Sequence, residues 1–184
     1  MERKPMSDEA IPAVLRILHL EDSLPDAVLA RGAFEEAGIG TSIVRVETRE
    51  AFVAELERGG FDLILADYHL PSFDGLSALT LTRGRHPGVP FILVSGKIGE
   101  ERAVEMLKRG ATDYVLKDQL SKLPLTTRRA LEEVRERARR EKAEAAVRQS
   151  EERYRALVEG LPGAVYLARL GEGPRTLYVS RQNK

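Results

Sequence analysis

The sequence contains no cysteine. Disulfides, thiolate metal sites and cysteine nucleophiles are therefore excluded, and a reducing, cytoplasmic setting is expected. The sequence also has no run of 18 apolar residues that could span a bilayer, and residues 1–10 lack the apolar stretch of a signal peptide. A hydrophobic content of 42% is ordinary for a folded globular protein.

Net charge is absent as well, because 29 Lys and Arg balance 29 Asp and Glu. Residues 1–123 carry 15 basic and 20 acidic side chains, whereas residues 124–184 carry 14 and 9. The first part has no basic patch, and the basic residues of the second part alternate with glutamates along a predicted helix. Direct binding of nucleic acid is therefore not expected.

Short apolar runs alternate with segments of helical period, and this pattern predicts βαβ units around a parallel sheet. The predicted strands are 15–20, 42–46, 63–66, 91–94 and 114–116. The predicted helices are 25–37, 49–58, 76–85 and 100–109, and glycines follow three of them where a left-handed C-cap is wanted. The first, third and fourth strands are nearly all apolar and belong in the buried middle of the sheet.

A helix of roughly 30 residues or more is predicted after Pro124, because no glycine or proline interrupts the chain until Gly160. Its apolar residues keep heptad spacing in two sets that are out of phase, which favours a coiled-coil linker with an interrupted seam. The first set is Leu131, Val134 and Ala138, and the second is Ala143, Val147, Ser150, Tyr154, Leu157 and Leu161. A solvated single helix held by Glu–Arg pairs is the alternative. Residues 126–159 are expected to form a homodimer through this seam.

Two strand-like runs, VYLARL and TLYVS, follow the helix and predict a hairpin without a sheet. An isolated hairpin is marginal in water, so a second domain, cut from a longer protein, is expected here. The predicted organisation is an N-terminal tail at 1–13, an α/β domain at 14–123, a helical linker at 124–160 and the start of another domain at 161–184.

Acidic, hydroxyl and basic residues lie at the C-terminal ends of the predicted strands, where open α/β sheets bind their ligands. Strand one ends in Glu21 and Asp22, strand three in Asp67, strand four in Ser95 and strand five in Lys117. In the doubly wound order 2-1-3-4-5, strands one and three are neighbours, and the three carboxylates converge on one crevice.

Clustered carboxylates repel one another unless a cation lies among them, and hard oxygen ligands suit Mg²⁺. The ammonium of Lys117 and the hydroxyl of Ser95 could each contact a phosphoryl oxygen. Each residue alone could cap a turn or a helix, but four of the five strand ends carry the residue types that a phosphorylated carboxylate needs. The pattern therefore predicts a Mg²⁺-dependent phosphoacceptor site.

The segments LRILHLEDSLPDA, FDLILADYHLPSFDG, FILVSG and DYVLK resemble the signature segments of response-regulator receiver domains. This resemblance implies a flavodoxin-like fold in which Asp67 accepts a phosphoryl group from a histidine kinase or histidine phosphotransfer protein. It implies that Glu21, Asp22, Asp67 and the backbone carbonyl of His69 hold Mg²⁺. Such a domain is a phosphoacceptor rather than an enzyme, although a longer parent protein could carry a kinase or another effector.

The same resemblance implies that Ser95 and Tyr114 are switch residues, and that His69 and Lys97 tune the lifetime of the phosphorylated state. Tyr114 could instead be an ordinary core tyrosine. One departure concerns Lys117, because receivers follow this lysine with a cis proline and this chain has Asp118. A cis bond before a residue other than proline costs about 2.5–4 kcal/mol, so the geometry of this bond stays open.

The segment RQSEERYRALVEGLPGAVYLARL is similar to the entry of a PAS domain, a sensor and dimerisation fold. This resemblance implies a multidomain signalling protein in which the long helix couples the receiver to a PAS domain. Two alternatives remain for the first domain: a structural receiver that is never phosphorylated, and a Mg²⁺-dependent phosphohydrolase. The absence of a DxD motif after strand one argues against the hydrolase. The two remaining histidines, His19 and His86, are expected to be structural.

Overall fold

The computed structural model describes residues 14–71, 73–96, 100–159, 166–169 and 175–179. Its strands are β1 (Val14–Leu20), β2 (Gly40–Val46), β3 (Leu63–Asp67), β4 (Phe91–Ser95), β5 (Asp113–Leu116), β6 (Tyr166–Arg169) and β7 (Arg175–Val179). Its helices are α1 (Leu24–Glu36), α2 (Arg49–Arg58), α3 (Gly75–Arg85), α4 (Glu100–Lys108) and α5 (Leu123–Glu159). A 3-10 helical segment, Lys117–Lys122, connects β5 to α5.

The first five strands form one parallel sheet in the order β2-β1-β3-β4-β5. The predicted doubly wound fold and the long C-terminal helix are therefore confirmed. The predicted bounds of the five strands and the first four helices differ from the observed ones by at most two residues, and those of α2 are identical. One difference concerns the site: Asp67 and Ser95 are the last residues of β3 and β4, whereas the sequence predicted that they follow these strands.

Helices cover both faces of the sheet, and the side chains of each strand alternate between the two faces. On one face Leu18, Leu20, Ile64 and Leu93 pack with residues of α2 and α3, including the fully buried Phe52. On the other face the neighbouring strand residues pack with α1 and α5, including the fully buried Phe34. Full burial of each such side chain contributes about 1.5–3 kcal/mol, which holds the strand ends in one arrangement.

Local capping decides where the helices of this domain begin and end. The side chains of Ser23, Thr48 and Asp74 accept hydrogen bonds from backbone N–H groups in the first turns of α1, α2 and α3. Gly38 and Gly110 follow α1 and α4 with positive φ angles, as expected from their positions in the sequence. The cap of α1 therefore follows the acidic pair after β1, Glu21 and Asp22, without an intervening loop.

The start of α5 belongs to the core of the α/β domain. Leu123, Ala130 and Leu131 are all buried against the β-sheet cluster. Heptad spacing predicted that Leu131 lies in an exposed apolar stripe, and this prediction is wrong because the side chain covers the sheet. Val147, Tyr154 and Leu157, farther along α5, are more than half exposed.

The chain divides after Glu136 into two compact units. The five-stranded sheet lies in the first unit. The second contains β6 and β7, which pair antiparallel and correspond to the predicted hairpin. Among the helices of the described ranges, none has both the length and the apolar character required to cross a bilayer.

Candidate phosphoacceptor site

Three carboxylates meet at the C-terminal edge of the sheet. β1 and β3 are parallel neighbours, with Leu20 paired to Ala66, so the residues that follow in each strand reach the same edge. Glu21, Asp22 and Asp67 each offer a carboxylate oxygen within 4.8 Å of the others. Glu21 and Asp67 are buried and Asp22 is exposed, so the cluster opens to solvent on one side.

Backbone hydrogen bonds orient the two buried carboxylates. The N–H of Ser23 donates to Glu21 Oε1 at 3.0 Å, and the N–H of His69 donates to Asp67 Oδ1 at 3.0 Å. The guanidinium of Arg45 donates to the carbonyl oxygens of Glu21 (3.0 Å) and Asp22 (3.3 Å). Each contact fixes the turn after a strand, so the carboxylates are held before any ligand arrives.

Lys117 brings a positive charge to these carboxylates. Its Nζ lies 2.8 Å from Asp67 Oδ2 and 3.0 Å from Glu21 Oε2. Its third partner is Asp26 Oδ2, at 2.5 Å. All peptide bonds of the described chain are trans, so the bond to Asp118, left open by the sequence, needs no cis geometry to place the ammonium here.

Burial and ion pairing act in opposite directions on the charge of this lysine. Burial by itself lowers the pKa of Lys117, but hydrogen bonds to Asp26, Asp67 and Glu21 outweigh it and raise the pKa above its ordinary value. For Glu21, burial raises the pKa of the carboxyl and the bond from Lys117 partly opposes this. The ammonium therefore stays charged at neutral pH, where it can attract a phosphoryl oxygen.

The close approach of α3 to β3 requires a glycine at position 75. A Cβ atom at Gly75 would lie 2.6 Å from the backbone oxygen of Asp67 and 2.6 Å from Leu93 Cδ2. Both distances are below normal contact, so α3 begins directly against the last residue of the acceptor strand. The DG pair of the LPSFDG segment thus has a packing reason, in addition to the capping bond from Asp74.

The other predicted site residues lie around this cluster at different depths. Ser95 is fully buried at the end of β4, next to β3. Tyr114 lies in β5 and is 37% exposed, so it is not an ordinary core tyrosine. The His69 side chain is exposed and packs edge-to-face on Tyr68. Lys97 lies outside the described residues.

His19 is a buried residue of β1, as expected. Within the described part of the chain, neither ring nitrogen has a hydrogen-bond partner. Burial, assisted by the charges of Lys117 and Arg45, lowers the pKa of His19 to about 4. The imidazole is therefore neutral at physiological pH.

Sequence reasoning missed two residues of the site, Asp26 and Arg45. Asp26 lies in the first turn of a helix, where an acidic residue is common for reasons of capping and helix dipole, so it gave no distinct signal. Arg45 lies in a strand that pairs with β1, and only the pairing of Leu20 with Val46 shows that it reaches the carboxylate turn.

The donor set suits a hard divalent cation. Three carboxylates with oxygens within 4.8 Å of one another match the oxygen ligands that Mg²⁺ prefers, and the exposed side leaves room for water and phosphate. Glu21, Asp22 and Asp67 are the residues that would hold the ion. An ion there would neutralise charge that Lys117 only partly compensates.

We expect Asp22→Ala to weaken Mg²⁺ binding by about tenfold or more, because the affinity of such sites follows the number of charged ligands. The metal-free protein should unfold at the same or a slightly higher temperature. Lys117 pairs with Glu21, Asp26 and Asp67, so the substitution removes repulsion without breaking one of those ion pairs. Calorimetric titration with Mg²⁺ and thermal unfolding without metal measure both effects.

Asp118→Ala is the control for that experiment, because Asp118 is exposed and follows Lys117 in the chain. It removes the same charge from the neighbourhood and should leave the Mg²⁺ affinity within about twofold. Equal affinity in Asp22→Ala and the unmodified protein would show that Asp22 is not a ligand.

A five-stranded doubly wound sheet with an acidic cluster and a lysine at its C-terminal edge defines the class of flavodoxin-like receiver proteins. The response regulator receiver domain family matches residues 17–128. The chain therefore belongs to the response regulator receiver family of two-component systems.

Known relatives agree with this membership. The response regulator protein FleR of Pseudomonas aeruginosa is 36% identical over 94 residues, which is 50% of this chain and 20% of FleR. The receiver domain of the Francisella response regulator 1452 superposes with a TM-score of 0.56 at 27% identity, covering 65% of this chain and 98% of that domain. The chain spans 20% to 46% of the length of the curated relatives compared.

A third relative bears on the acidic cluster. The receiver domain of the sensor histidine kinase PA1611 from Pseudomonas aeruginosa has a TM-score of 0.56 at 25% identity, covering 65% of this chain and 98% of that domain. Its crystal structure holds a magnesium ion in the active-site cleft. A receiver domain of this fold therefore binds magnesium in its active-site cleft.

Proposed function

We propose that Asp67 accepts a phosphoryl group from the phosphohistidine of a histidine kinase or phosphotransfer protein, and that the domain changes conformation in response. The observation that supports this most is the position of Asp67, whose buried carboxylate is held by a backbone N–H on one oxygen and by Lys117 on the other. A carboxylate so oriented is a prepared nucleophile rather than a surface charge.

In the transfer, a carboxylate oxygen of Asp67 forms a bond to phosphorus while the bond from phosphorus to the donor imidazole breaks. The electron pair of that bond stays on the imidazole nitrogen, and the product is an acyl phosphate on Asp67. Lys117 and the hydroxyl of Ser95 would stabilise charge on the transferred oxygens. Mg²⁺, held by Glu21, Asp22, Asp67 and the carbonyl of His69, would supply further charge neutralisation.

The phosphorylated state would be read through Ser95 and Tyr114. Ser95 is buried at the end of β4 and Tyr114 is partly exposed on the adjacent strand, where its own position pairs with Leu93. A shift of the Ser95 hydroxyl toward the phosphoryl group would move the following loop and change the packing of the tyrosine. His69 and Lys97 would set how fast water removes the phosphoryl group.

The proposal extends to the region that follows the receiver domain. The receiver would act as a cytoplasmic phosphoacceptor without turnover of an external substrate, and the long helix would carry its signal to a PAS domain beginning near residue 161. Part of the PAS-like segment lies outside the described residues. The antiparallel hairpin of β6 and β7 agrees with a β-rich domain at this point.

Incubation with acetyl phosphate and Mg²⁺, followed by intact-mass measurement, tests the function. A mass increase of one phosphoryl group that is absent when Mg²⁺ is omitted from the incubation supports it. No modification, even with a panel of phosphorylated kinases, would indicate a structural receiver. Sustained release of phosphate from a generic phosphomonoester would indicate a phosphohydrolase.

A parallel homodimer through α5 belongs to the proposal as well. Val147, Tyr154 and Leu157 are spaced seven and three residues apart, and each is more than half exposed. Apolar residues at this spacing form the seam of a two-stranded coiled coil. The buried Leu131 takes no part, so the seam is confined to the later part of the helix.

We therefore expect Val147→Glu to shift the protein from dimer to monomer, raising the dissociation constant by about tenfold or more, because it buries a charge in the seam. Light scattering over a concentration series measures this. Gln149→Glu is the matched control, since it adds the same charge two residues away, on the opposite side of the helix. A protein that is monomeric at every concentration would contradict the dimer.

A further inference from the structure

Asp26 is one of three carboxylates that contact the ammonium of Lys117. Its Oδ2 lies 2.5 Å from Nζ, compared with 2.8 Å for Asp67 and 3.0 Å for Glu21. The Asp26 side chain is 31% exposed and that of Lys117 is 20% exposed, so the pair is only partly screened by water. Asp26 is the one partner of Lys117 that comes from a helix rather than from a strand end.

The ordinary role of an acidic residue at this helix position is already filled. Ser23 is the N-cap of α1 and Asp26 is its third helical residue, the position from which a carboxylate usually bonds back to the N-cap N–H. Here the N–H of Ser23 donates to Glu21 Oε1 instead. The Asp26 carboxylate is therefore released from capping and turns to Lys117.

The oxygens of the other two partners are already in use. Glu21 Oε1 accepts from Ser23 and Oε2 pairs with Lys117, while Asp67 Oδ1 accepts from His69 and Oδ2 pairs with Lys117. A metal ion at these carboxylates must share oxygens that the ammonium now holds. Asp26, in contrast, does not belong to the three-carboxylate cluster.

We propose that Asp26 is a positioning residue for the phosphoryl transfer. It retains the ammonium of Lys117 in the site while Glu21 and Asp67 exchange that partner for the metal ion and the phosphoryl group. Without Asp26, the ammonium has only the metal-binding oxygens of Glu21 and Asp67 as partners, so it competes with the ion for them. Once the ion displaces it, the ammonium leaves for solvent and no longer meets the incoming phosphoryl oxygen. This inference rests on the proposed phosphoacceptor function of Asp67.

The first test is the rate of phosphorylation of Asp26→Asn by acetyl phosphate at saturating Mg²⁺. We expect a loss of about tenfold, the order of effect found when an outer-shell partner in a metal site is removed, because the ammonium is no longer held near the incoming phosphoryl oxygen. Glu36→Gln removes an equal charge from an exposed position on the same helix and should phosphorylate at the unmodified rate. A rate for Asp26→Asn equal to that of Glu36→Gln would overturn the proposal.

A double-mutant cycle with Lys117→Gln separates positioning from a general electrostatic effect. If Asp26 acts through Lys117, then Asp26→Asn weakens Mg²⁺ binding in the unmodified protein and changes nothing in the Lys117→Gln protein. The same fold-loss in both backgrounds would show that Asp26 merely attracts the cation. Calorimetric titration gives these affinities even if Lys117→Gln cannot be phosphorylated.

The ammonium of Lys117, observed without and with Mg²⁺, supplies a readout that does not depend on phosphorylation. With nitrogen-labelled lysine, the ammonium of Lys117 should give a resolved, slowly exchanging NMR signal, identified by its absence in Lys117→Gln. Without metal, we expect the signal in the unmodified protein, Asp26→Asn and Glu36→Gln, because Glu21 and Asp67 still hold the ammonium. At saturating Mg²⁺ it should persist in the unmodified protein and Glu36→Gln and broaden in Asp26→Asn. Persistence in Mg²⁺-saturated Asp26→Asn would contradict the proposal. Failure of the unmodified protein to phosphorylate, with the NMR result as expected, would reject the proposed function and not the contact.

Discussion

Asp67→Asn is expected to abolish phosphorylation completely and to leave the fold intact. An amide has nearly the shape of a carboxylate, but its oxygen is a poor nucleophile and cannot form the acyl phosphate. The amide oxygen can still accept the hydrogen bond that His69 now gives to Asp67 Oδ1. Lys117 keeps Glu21 and Asp26 as partners, so the substitution does not leave its ammonium alone in a buried position.

The measurement is intact mass after incubation with acetyl phosphate and Mg²⁺, together with circular dichroism of the unmodified protein and the variant. Asp118→Asn, an exposed aspartate next to Lys117, should be phosphorylated like the unmodified protein. A phosphorylated Asp67→Asn protein would place the acceptor elsewhere, and peptide mapping of that protein would then locate it.

Gly75→Ala is expected to destabilise the domain by about 1–3 kcal/mol, the usual cost of forcing an extra methyl group into a packed site. The added carbon would lie 2.6 Å from the backbone oxygen of Asp67 and from Leu93 Cδ2. Relief of these contacts requires α3 to move away from β3. That movement would also displace Asp67, so we expect slower phosphorylation in addition to the lost stability.

Gly84→Ala is a matched control in the same helix. A Cβ there meets nothing within 4 Å, and alanine is a better helix former than glycine by about 1 kcal/mol. Urea unfolding should therefore show lower stability for Gly75→Ala and equal or higher stability for Gly84→Ala. Equal stability of the Gly75→Ala variant and the unmodified protein would mean that α3 does not pack directly on the acceptor strand.

Much of the fold was predictable because its signals are local. Apolar runs bounded by glycine and proline gave all five strands of the sheet, and β1, β3 and β4 proved to be its buried middle. Helix ends were predictable for the same reason, since Gly38 and Gly110 adopt the positive φ angles that their places after helices require. Neither signal depends on residues distant in the chain.

The prediction for α5 was only partly right. Its length was predictable from the absence of glycine and proline, but the role of Leu131 was not. Heptad spacing alone cannot tell whether an apolar residue faces a second helix or the domain's own sheet. The structure places Leu131 beside Ala130 in the core, where both cover β-strand residues.

The sequence by itself determined which residue types stand at the strand ends, because the ends of apolar runs can be read directly. With the doubly wound order, Glu21, Asp22, Asp67 and Lys117 could be expected at one edge of the sheet. Only the tertiary structure decided how the charges pair. Asp26 in α1 contacts Lys117, 91 residues away, because the N–H of Ser23 donates to Glu21 and leaves the Asp26 carboxylate available. The spacing of residues in the sequence does not indicate this hydrogen bond.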